Sequence, residues 1–564
     1  MLYLIIAFLC FLITVVTTPY LIDYLIKKDI VDRPNGEERR MHTEPIPRMG
    51  GIIIFAVILL ITFAFYQDIY SKKFFIAGAF VVFALGLADD IKSIKWSIKF
   101  SVQSIAAIFL ILSLTEHNFT VFNFMEFTLP PGLNYLIVFV LIIGLLNAFN
   151  FLDGLDGLVT GISLVIAAMC FLLGMGEPFL FLPVLAAATI GTTLGFLKFN
   201  ANPARIFLGD SGSLILGYLV TGLVFAISGE SSVGLINGTK VLANKIDLAF
   251  VIIVFAVPIG DTLRVMYVRL RSRKNIFLAD SSHIHHILYS QNIRHKTVVL
   301  LIQGFSVLFV LLAIYYARVS KFNAMLIFVF MITAFLFLKQ IVGFIIKKEH
   351  LLYYGQMYKR IPRAFPVIYK KFLLPIVALL IIAVFTILTL TEIKGSKQIY
   401  KYFILLIVPS LLYSGTTLRK KEYYAEILVL INLIVFFIVT GLNGFFYKLY
   451  PLPIITQINI NQILIITLSG MIIFFVLFKE RIHNLRQQFL SGTDLTVALF
   501  IAFIYVAAQF IDLPDSYKIS DTLLRSFLVF LFYKIIITIY PRTHFALYYI
   551  SFLIAVIAVV KSLF

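Results

Sequence analysis

Apolar stretches long enough to span a bilayer recur along the whole chain, with polar residues confined to the intervals between them. They fall near 3–26, 50–66, 73–88, 100–115, 134–149, 158–175, 179–197, 213–228 and 247–267. A second series follows near 298–316, 324–346, 372–391, 401–416, 424–447, 460–478, 494–511, 523–540 and 543–562. At roughly 20 residues per span, about eighteen such helices would use about 360 residues. The pattern predicts an all-α polytopic membrane protein of about 18 transmembrane helices.

Composition agrees with that expectation. Of 564 residues, 61% are hydrophobic and 13% charged, and mean hydropathy is +1.00. A soluble domain is nearer half apolar and a quarter charged, so a soluble enzyme and a nucleic-acid binder are both excluded. The net charge of +19 does not reopen the second reading, because the 47 Lys and Arg residues sit mostly in alternate loops. The loop after the first span carries Lys27, Lys28, Arg33, Arg39, Arg40 and Arg48. Positive residues favour the cytoplasmic side, which places that loop inside and the N-terminus outside. Carrying the alternation forward puts both termini outside. The first span lacks a basic segment before it and reads as a retained helix, not a cleaved signal. Cys10 and Cys170, the only cysteines, lie within apolar spans and offer neither a disulfide framework nor a thiol metal site.

Most of the 28 acidic residues occur before residue 297. Those in the second half stand in loops beside basic partners, as in Lys348–Glu349, Lys421–Glu422 and Lys479–Glu480. Four clusters in the first half close spans on the expected cytoplasmic side: Asp89-Asp90; the run from Asn147 and Asn150 through Asp153 to Asp156; Arg205 through Asp210 and Ser211; and Asp261. Carboxylates close to a bilayer are costly and mark function or a paired partner. On a helix, Asp153 and Asp156 would share a face, as a hard divalent cation requires. Asp89 and Asp90 would point about 100° apart, with separate tasks. The glycines around Asp153, Asp156 and Asp210 allow backbone N–H groups to approach a phosphate. An ion or proton relay would instead place carboxylates mid-span.

The loop after Asp261 contains Arg269, Arg271, Arg273 and Lys274, followed by His283, His285 and His286. A zinc site would need a further ligand. Beside a basic run, anion or phosphate binding is the better reading. A headgroup anchor accounts for the Arg and Lys residues but not for the histidines.

These motifs together resemble those of the polyprenyl-phosphate N-acetylhexosamine-1-phosphate transferases. The resemblance is carried by Asp89-Asp90 with Lys99 and Gln103, by Phe151-Leu-Asp153-Gly-Leu-Asp156-Gly157, by Arg205-Ile-Phe-Leu-Gly-Asp210-Ser-Gly-Ser213, and by His283-Ile-His285-His286. Asp32-Arg33-Pro34-Asn35 leading to Pro47-Arg48-Met-Gly50-Gly51 fits as well. It covers roughly residues 1–345. Within the family the chain is more similar to undecaprenyl-phosphate GlcNAc-1-phosphate transferases than to the phospho-MurNAc-pentapeptide translocase, whose three consecutive histidines are here interrupted by Ile284.

The resemblance implies transfer of a HexNAc-1-phosphate, foremost GlcNAc-1-phosphate, from a UDP-sugar to polyprenyl phosphate at the cytoplasmic face of a bacterial inner membrane, releasing UMP. That step would begin a lipid-linked glycan such as O-antigen or teichoic acid. It implies Mg²⁺, with Mn²⁺ as a substitute, held by Asp210 and Asp156. Asp89, Asp90, Asp153 and Asp156 are the expected catalytic residues, Asp89 ahead of Asp90 as a base. Lys99, Arg205, Arg271, His283, His285 and His286 are expected to hold phosphates or sugar. Asn147 and Asn150 would orient the metal or uridine, or cap their helix, and Asp261 is equally a structural residue. Another HexNAc or MurNAc-pentapeptide as donor, or a lipid or ion transporter, are the alternatives. The expected organisation is a transferase core at 1–346, a basic cytoplasmic linker at 347–371 and further transmembrane helices at 372–564. Docking of later glycan enzymes is a role open to the last segment, and homo-oligomerisation is open to the chain as a whole.

Overall fold

The computed structural model describes residues 2–33, 45–66, 68–115, 121–124, 127–128, 131–174, 181–236, 239–273, 283–291, 293–347, 369–378, 381, 422–441, 465, 467–473, 475, 490–511 and 519–563. Among the described residues fourteen α-helices precede residue 348: α1 (Leu2–Lys27), α2 (Gly51–Phe65), α3 (Lys73–Ile91), α4 (Trp96–Thr115), α5 (Pro131–Leu152), α6 (Leu158–Gly174), α7 (Phe181–Asn200), α8 (Gly209–Ile227), α9 (Leu248–Val254), α10 (Ala256–Arg271), α11 (Ile284–Tyr289), α12 (His295–Arg318), α13 (Lys321–Leu336) and α14 (Leu338–Lys347). Later described helices are α15 (Glu422–Gly441), α16 (Gly492–Ala507), α17 (Ile519–Ile539) and α18 (His544–Leu563).

The expectation of about eighteen transmembrane helices is overturned. Among the described residues nine helices are long and apolar enough to cross a membrane, and up to eleven if each of two bent pairs is one span. Three of the expected spans are helices of 15, 17 and 16 residues, α2, α6 and α16. At 1.5 Å per residue these reach about 23–26 Å, short of a hydrocarbon layer of about 30 Å. Two more are bent, α9 against α10 by 82° and α13 against α14 by 65°. The first bend has a local cause in Pro258. Its ring would clash with the carbonyl of Val254 in a continuous helix, and it has no N–H to donate there. The helix ends at Val254, and Pro258 sits in the first turn of α10, where no donor is needed. The expected span at 401–416 lies outside the described residues, as do parts of those at 372–391, 424–447 and 460–478.

The chain divides into two compact units, Met1–Lys347 with Ser491–Ile511, and Lys348–Leu490 with Asp512–Phe564. One helix from the segment expected at 372–564, α16, therefore belongs to the first unit. Of the expected linker, residues 348–368 lie outside the described set. In the first unit α6, α7 and α8 are almost wholly buried, and α1, α3, α5 and α12 pack around them. A short antiparallel pair joins β1 (Val31–Asp32) to β2 (Ile46–Pro47). A four-stranded sheet, ordered β4-β3-β6-β5, is built from β3 (Val121–Phe124), β4 (Phe127–Thr128), β5 (Gly229–Ile236) and β6 (Thr239–Asp247). Its strands attach to the ends of α4, α5, α8 and α9 remote from the acidic clusters. In the second unit α15 packs against both α17 and α18, with Lys534 paired to Glu426 at 3.5 Å.

Candidate active site

Four helix ends converge in the first unit: the C-termini of α3 and α5 and the N-termini of α4 and α8. Close approach of α3 to α8 requires Gly86, where a Cβ would lie 2.5 Å from the Ser211 Cα. This brings Asp89 and Asp90, in the last turn of α3, to the first turn of α8.

The two adjacent aspartates have different partners, as their divergence on a helix predicts. Asp90 accepts from the Asp210 N–H at 2.8 Å, the Ser211 N–H at 3.0 Å and the Ser211 hydroxyl at 2.6 Å. It thus caps α8 from another helix, satisfying N–H groups that have no partner within α8. Room for that carboxylate depends on Gly209, whose φ of +74° suits glycine and whose Cβ would stand 2.7 Å from Asp90 Oδ2. Asp89 instead accepts from the Ile94 N–H at 2.6 Å and from the Lys99 ammonium. Lys99 also donates to Asp210 Oδ2 at 3.1 Å.

Asn150 Nδ2 donates to the Ser213 hydroxyl at 3.1 Å, and Asn147 Nδ2 donates to Gln103 Oε1 at 2.8 Å. These amides fasten α5 to α8 and α4 at the level of the carboxylates.

Asp153 and Asp156 are not on one helical face. Residues 153–157 form a turn between α5 and α6, closed by Gly157 at φ +78°. Asp153 lies with Asp210 and Asp90. Burial first, and then the negative charges of Asp210, Asp90 and Asp156, hold its carboxyl well above the usual carboxylate range, with Arg48 acting in the opposite direction. Asp156 is held on the other side of the turn. Its Oδ2 accepts from Asn202 Nδ2 at 2.8 Å and from the Ala204 N–H at 3.2 Å, while its own N–H donates to His295 Nε2 at 3.1 Å.

The histidines form a second cluster against the same turn. His283 precedes α11 in an extended conformation, so it and His286 are not stacked turns of one helix. Its Nδ1 bonds Asp261 Oδ2 at 2.8 Å, and Asp261 Oδ1 accepts from the Ile284 N–H at 2.8 Å. His285 is 1% exposed, with both ring nitrogens lacking a hydrogen-bond partner. It stacks on His283 at 5.7 Å and lies beneath Gly154, where a Cβ would come within 2.4 Å of its Nε2. Burial and neighbouring His286 lower its pKa to about 3, so the ring is neutral. Arg205 and Arg271 are exposed, Arg205 with its guanidinium 5.8 Å from the centre of the Phe199 ring.

Sequence reasoning did not place Arg48, Asn202 or His295 in the site. Arg48 had a signal, since Pro47-Arg48-Met-Gly50-Gly51 was visible as a motif. Backbone bonds from Phe207 to Pro47 at 2.8 Å and from Gly50 to Phe207 at 3.0 Å dock that motif onto the segment leading to Asp210. Asn202 and His295 had no local signal.

The donor chemistry suits a hard divalent cation. Asp89, Asp90, Asp153 and Asp210 stand against two cations, Lys99 and Arg48, and no hydrogen bond reaches the Asp153 carboxyl among the described residues. No ready-made cage of three or more ligands occurs among the described residues. Mg²⁺ does not need one, because it binds through one or two carboxylates, waters and substrate phosphates.

Comparison with known proteins identifies a family and several relatives. Residues 73–228 match the family described as Glycosyl transferase family 4. The chain is 30% identical over 366 residues to the probable undecaprenyl-phosphate N-acetylglucosaminyl 1-phosphate transferase of Bacillus subtilis, covering 64% of this chain and 98% of that protein. It is 32% identical over 286 residues to the decaprenyl-phosphate N-acetylglucosaminephosphotransferase of Mycobacterium tuberculosis, covering 47% and 70%. With the phospho-N-acetylmuramoyl-pentapeptide-transferase of Clostridioides difficile it shares 31% identity over 304 residues, covering 50% and 87%.

Proposed function

The chain belongs to the polyprenyl-phosphate N-acetylhexosamine-1-phosphate transferases, and on that premise we propose that it transfers GlcNAc-1-phosphate from UDP-GlcNAc to undecaprenyl phosphate. The reaction takes place at the cytoplasmic face of a bacterial membrane and begins a lipid-linked envelope glycan. A phosphate oxygen of the lipid attacks the β-phosphorus of UDP-GlcNAc, the bond from that phosphorus to the oxygen bridging to the α-phosphate breaks, and UMP leaves. The observation that carries this reading is the Asp89–Lys99–Asp210 bridge beside Asp153 and Asp90.

Asp210 and Asp153 are the residues that would hold Mg²⁺, and Mn²⁺ in its place, Asp153 replacing the expected Asp156, whose Oδ2 is engaged by Asn202 and Ala204. When bound, the ion offsets negative charge on the diphosphate and on the departing UMP. The lipid phosphate has a second pKa near 6, so much of it is already a nucleophile at neutral pH. Asp89 needs only to accept the remaining proton and, with Lys99, to orient the phosphate. Asp90 fixes the first turn of α8 and thereby aims Asp210. Arg48, at 3.2 Å from Asp32 and close to Asp90 and Asp153, supplies positive charge for an incoming phosphate. The His283–Asp261 pair presents a fixed imidazole for the sugar nucleotide.

The test is UMP release by the purified full-length protein in detergent from UDP-GlcNAc and undecaprenyl phosphate, with and without Mg²⁺. Mg²⁺-dependent release, lost in Asp210→Asn, supports the reading. Release only with another UDP-HexNAc changes the sugar, and no release with any sugar nucleotide from folded protein overturns it.

A further inference from the structure

Helix α16 comes from a stretch of chain whose neighbours on both sides belong to the second unit, yet it is part of the first. It starts with a closed capping box, in which the Ser491 hydroxyl accepts from the Asp494 N–H at 3.1 Å and Asp494 Oδ2 accepts from the Ser491 N–H at 2.8 Å. A helix fixed at its first turn offers defined contacts, and two of them lead to the turn that carries Asp153 and Asp156.

The first passes through side chains. The Thr496 hydroxyl donates to Gln303 Oε1 at 3.0 Å, with the Gly492 carbonyl of its own helix a second acceptor at 3.2 Å, and Gln303 Nε2 donates to the Gly157 carbonyl at 3.0 Å. Both side chains are buried. Gln303 lies so close to α6 that a Cβ on Gly161 would be 2.0 Å from its Nε2, which leaves the amide little choice of position. The second contact is steric. A Cβ on Gly492 would stand 3.0 Å from the Asn202 carbonyl oxygen and 3.1 Å from its nitrogen, and Asn202 holds Asp156 Oδ2 at 2.8 Å. Between the two lies a small cleft walled by Asp156, Asn202, Lys296, Gln303, Gly492 and Thr496.

We propose that Thr496 and Gly492 are positioning residues of the transferase site: α16 fixes the 153–157 turn, through Gln303 at Gly157 and through Asn202 at Asp156. The segment beyond residue 347 thereby contributes a structural part of the catalytic face. This inference rests on the proposed transferase reading for its consequence in catalysis, but the contact itself is tested separately. Loss of one hydrogen bond in a buried network corresponds to about a two- to tenfold change.

The experiment compares full-length wild type with Thr496→Val, which keeps shape and removes the donor, and Thr496→Ser, which restores it. Hydrogen exchange is followed at the amides of residues 153–158 and elsewhere, alongside kcat and KM for UMP release. Faster exchange confined to that turn in Thr496→Val, with kcat reduced about two- to tenfold and both restored in Thr496→Ser, supports the proposal. Unchanged exchange and kinetics in Thr496→Val overturn it. Faster exchange throughout the first unit, unrescued by Ser, also overturns it, since that reports general loss of packing. Gly492→Val, which forces α16 away from Asn202, gives a second reading: local exchange at Asp156 supports the steric arm, and unchanged exchange there removes it. A wild type that releases no UMP while the exchange pattern behaves as expected would sink the transferase reading and leave the positioning contact standing.

Discussion

Lys99 joins two aspartates 121 residues apart in sequence, donating both to Asp89 and, at 3.1 Å, to Asp210 Oδ2. Its side chain is 27% exposed and that of Asp89 8%, so the bridge lies at the mouth of the site with one partner sealed off. An ammonium between two carboxylates holds them close while keeping a cation where phosphates arrive. Lys99→Met should lower kcat for UMP release by about 100-fold, the scale for losing a preorganised charge. Because the competing cation is gone, half-saturation by Mg²⁺ should not rise. A large increase in the Mg²⁺ requirement, with kcat recovered at high Mg²⁺, would show that Lys99 serves only to assemble the metal site.

Asp90 and Asp89 should separate stability from activity. Asp90→Ala leaves the N–H groups of Asp210 and Ser211 uncapped and should cost about 1–2 kcal/mol of stability. Asp89→Asn keeps an acceptor for Ile94 and should change the melting temperature little, yet lower activity about 100-fold. Thermal denaturation in detergent, measured beside UMP release, checks both. Equal destabilisation by the two changes would refute the division of roles.

Asp153→Asn removes a carboxyl held among Asp210, Asp90 and Asp156. In chelator the variant should melt higher than wild type, because a carboxyl disfavoured first by burial and then by its charged neighbours is replaced by a neutral amide. With Mg²⁺ at a hundredfold excess over its dissociation constant the wild type should gain about 2–3 kcal/mol, and the variant should gain far less. Melting curves with and without Mg²⁺ read this directly, independent of turnover.

The buried imidazole of His285 carries a sign that can be measured. Its pKa is lowered from 6.5 to about 3 in the folded chain. An unfolded chain therefore binds its proton first as pH falls, so the stability associated with neutral His285 is complete above pH 6.5 and is lost progressively toward pH 3. Melting temperature should fall with acidification across that window, and His285→Leu should flatten the decline. The variant should not be strongly destabilised at neutral pH, because neither ring nitrogen has a partner to lose.

The motifs of the site were readable because each is a local statement. Asp89-Asp90, Asp210 with its flanking glycines and serines, and the His283–His286 run are polar residues that an apolar chain would not carry without reason, and all of them lie in the first unit. That Asp89 and Asp90 meet different partners followed from helix geometry alone. The pairing of Asp153 with Asp156 did not, because Gly157 in the left-handed region ends the helical register on which that argument stood.

The sequence by itself therefore determined the membrane class, the family and most of the charged residues of the candidate site. Tertiary structure decided which of them meet. Asp90 caps a helix 120 residues away, Asp156 turns to Asn202 and His295, and α16 returns to the first unit from beyond residue 490. Among the described residues it also decided which apolar stretches can span, since apolar composition measures preference for lipid but not whether a helix is straight or long enough. The reason is physical. In lipid both the buried and the lipid-facing sides of a helix are apolar, so hydrophobic pattern carries little record of which helices are neighbours. That choice is made by close packing and by single hydrogen bonds between segments far apart in the chain.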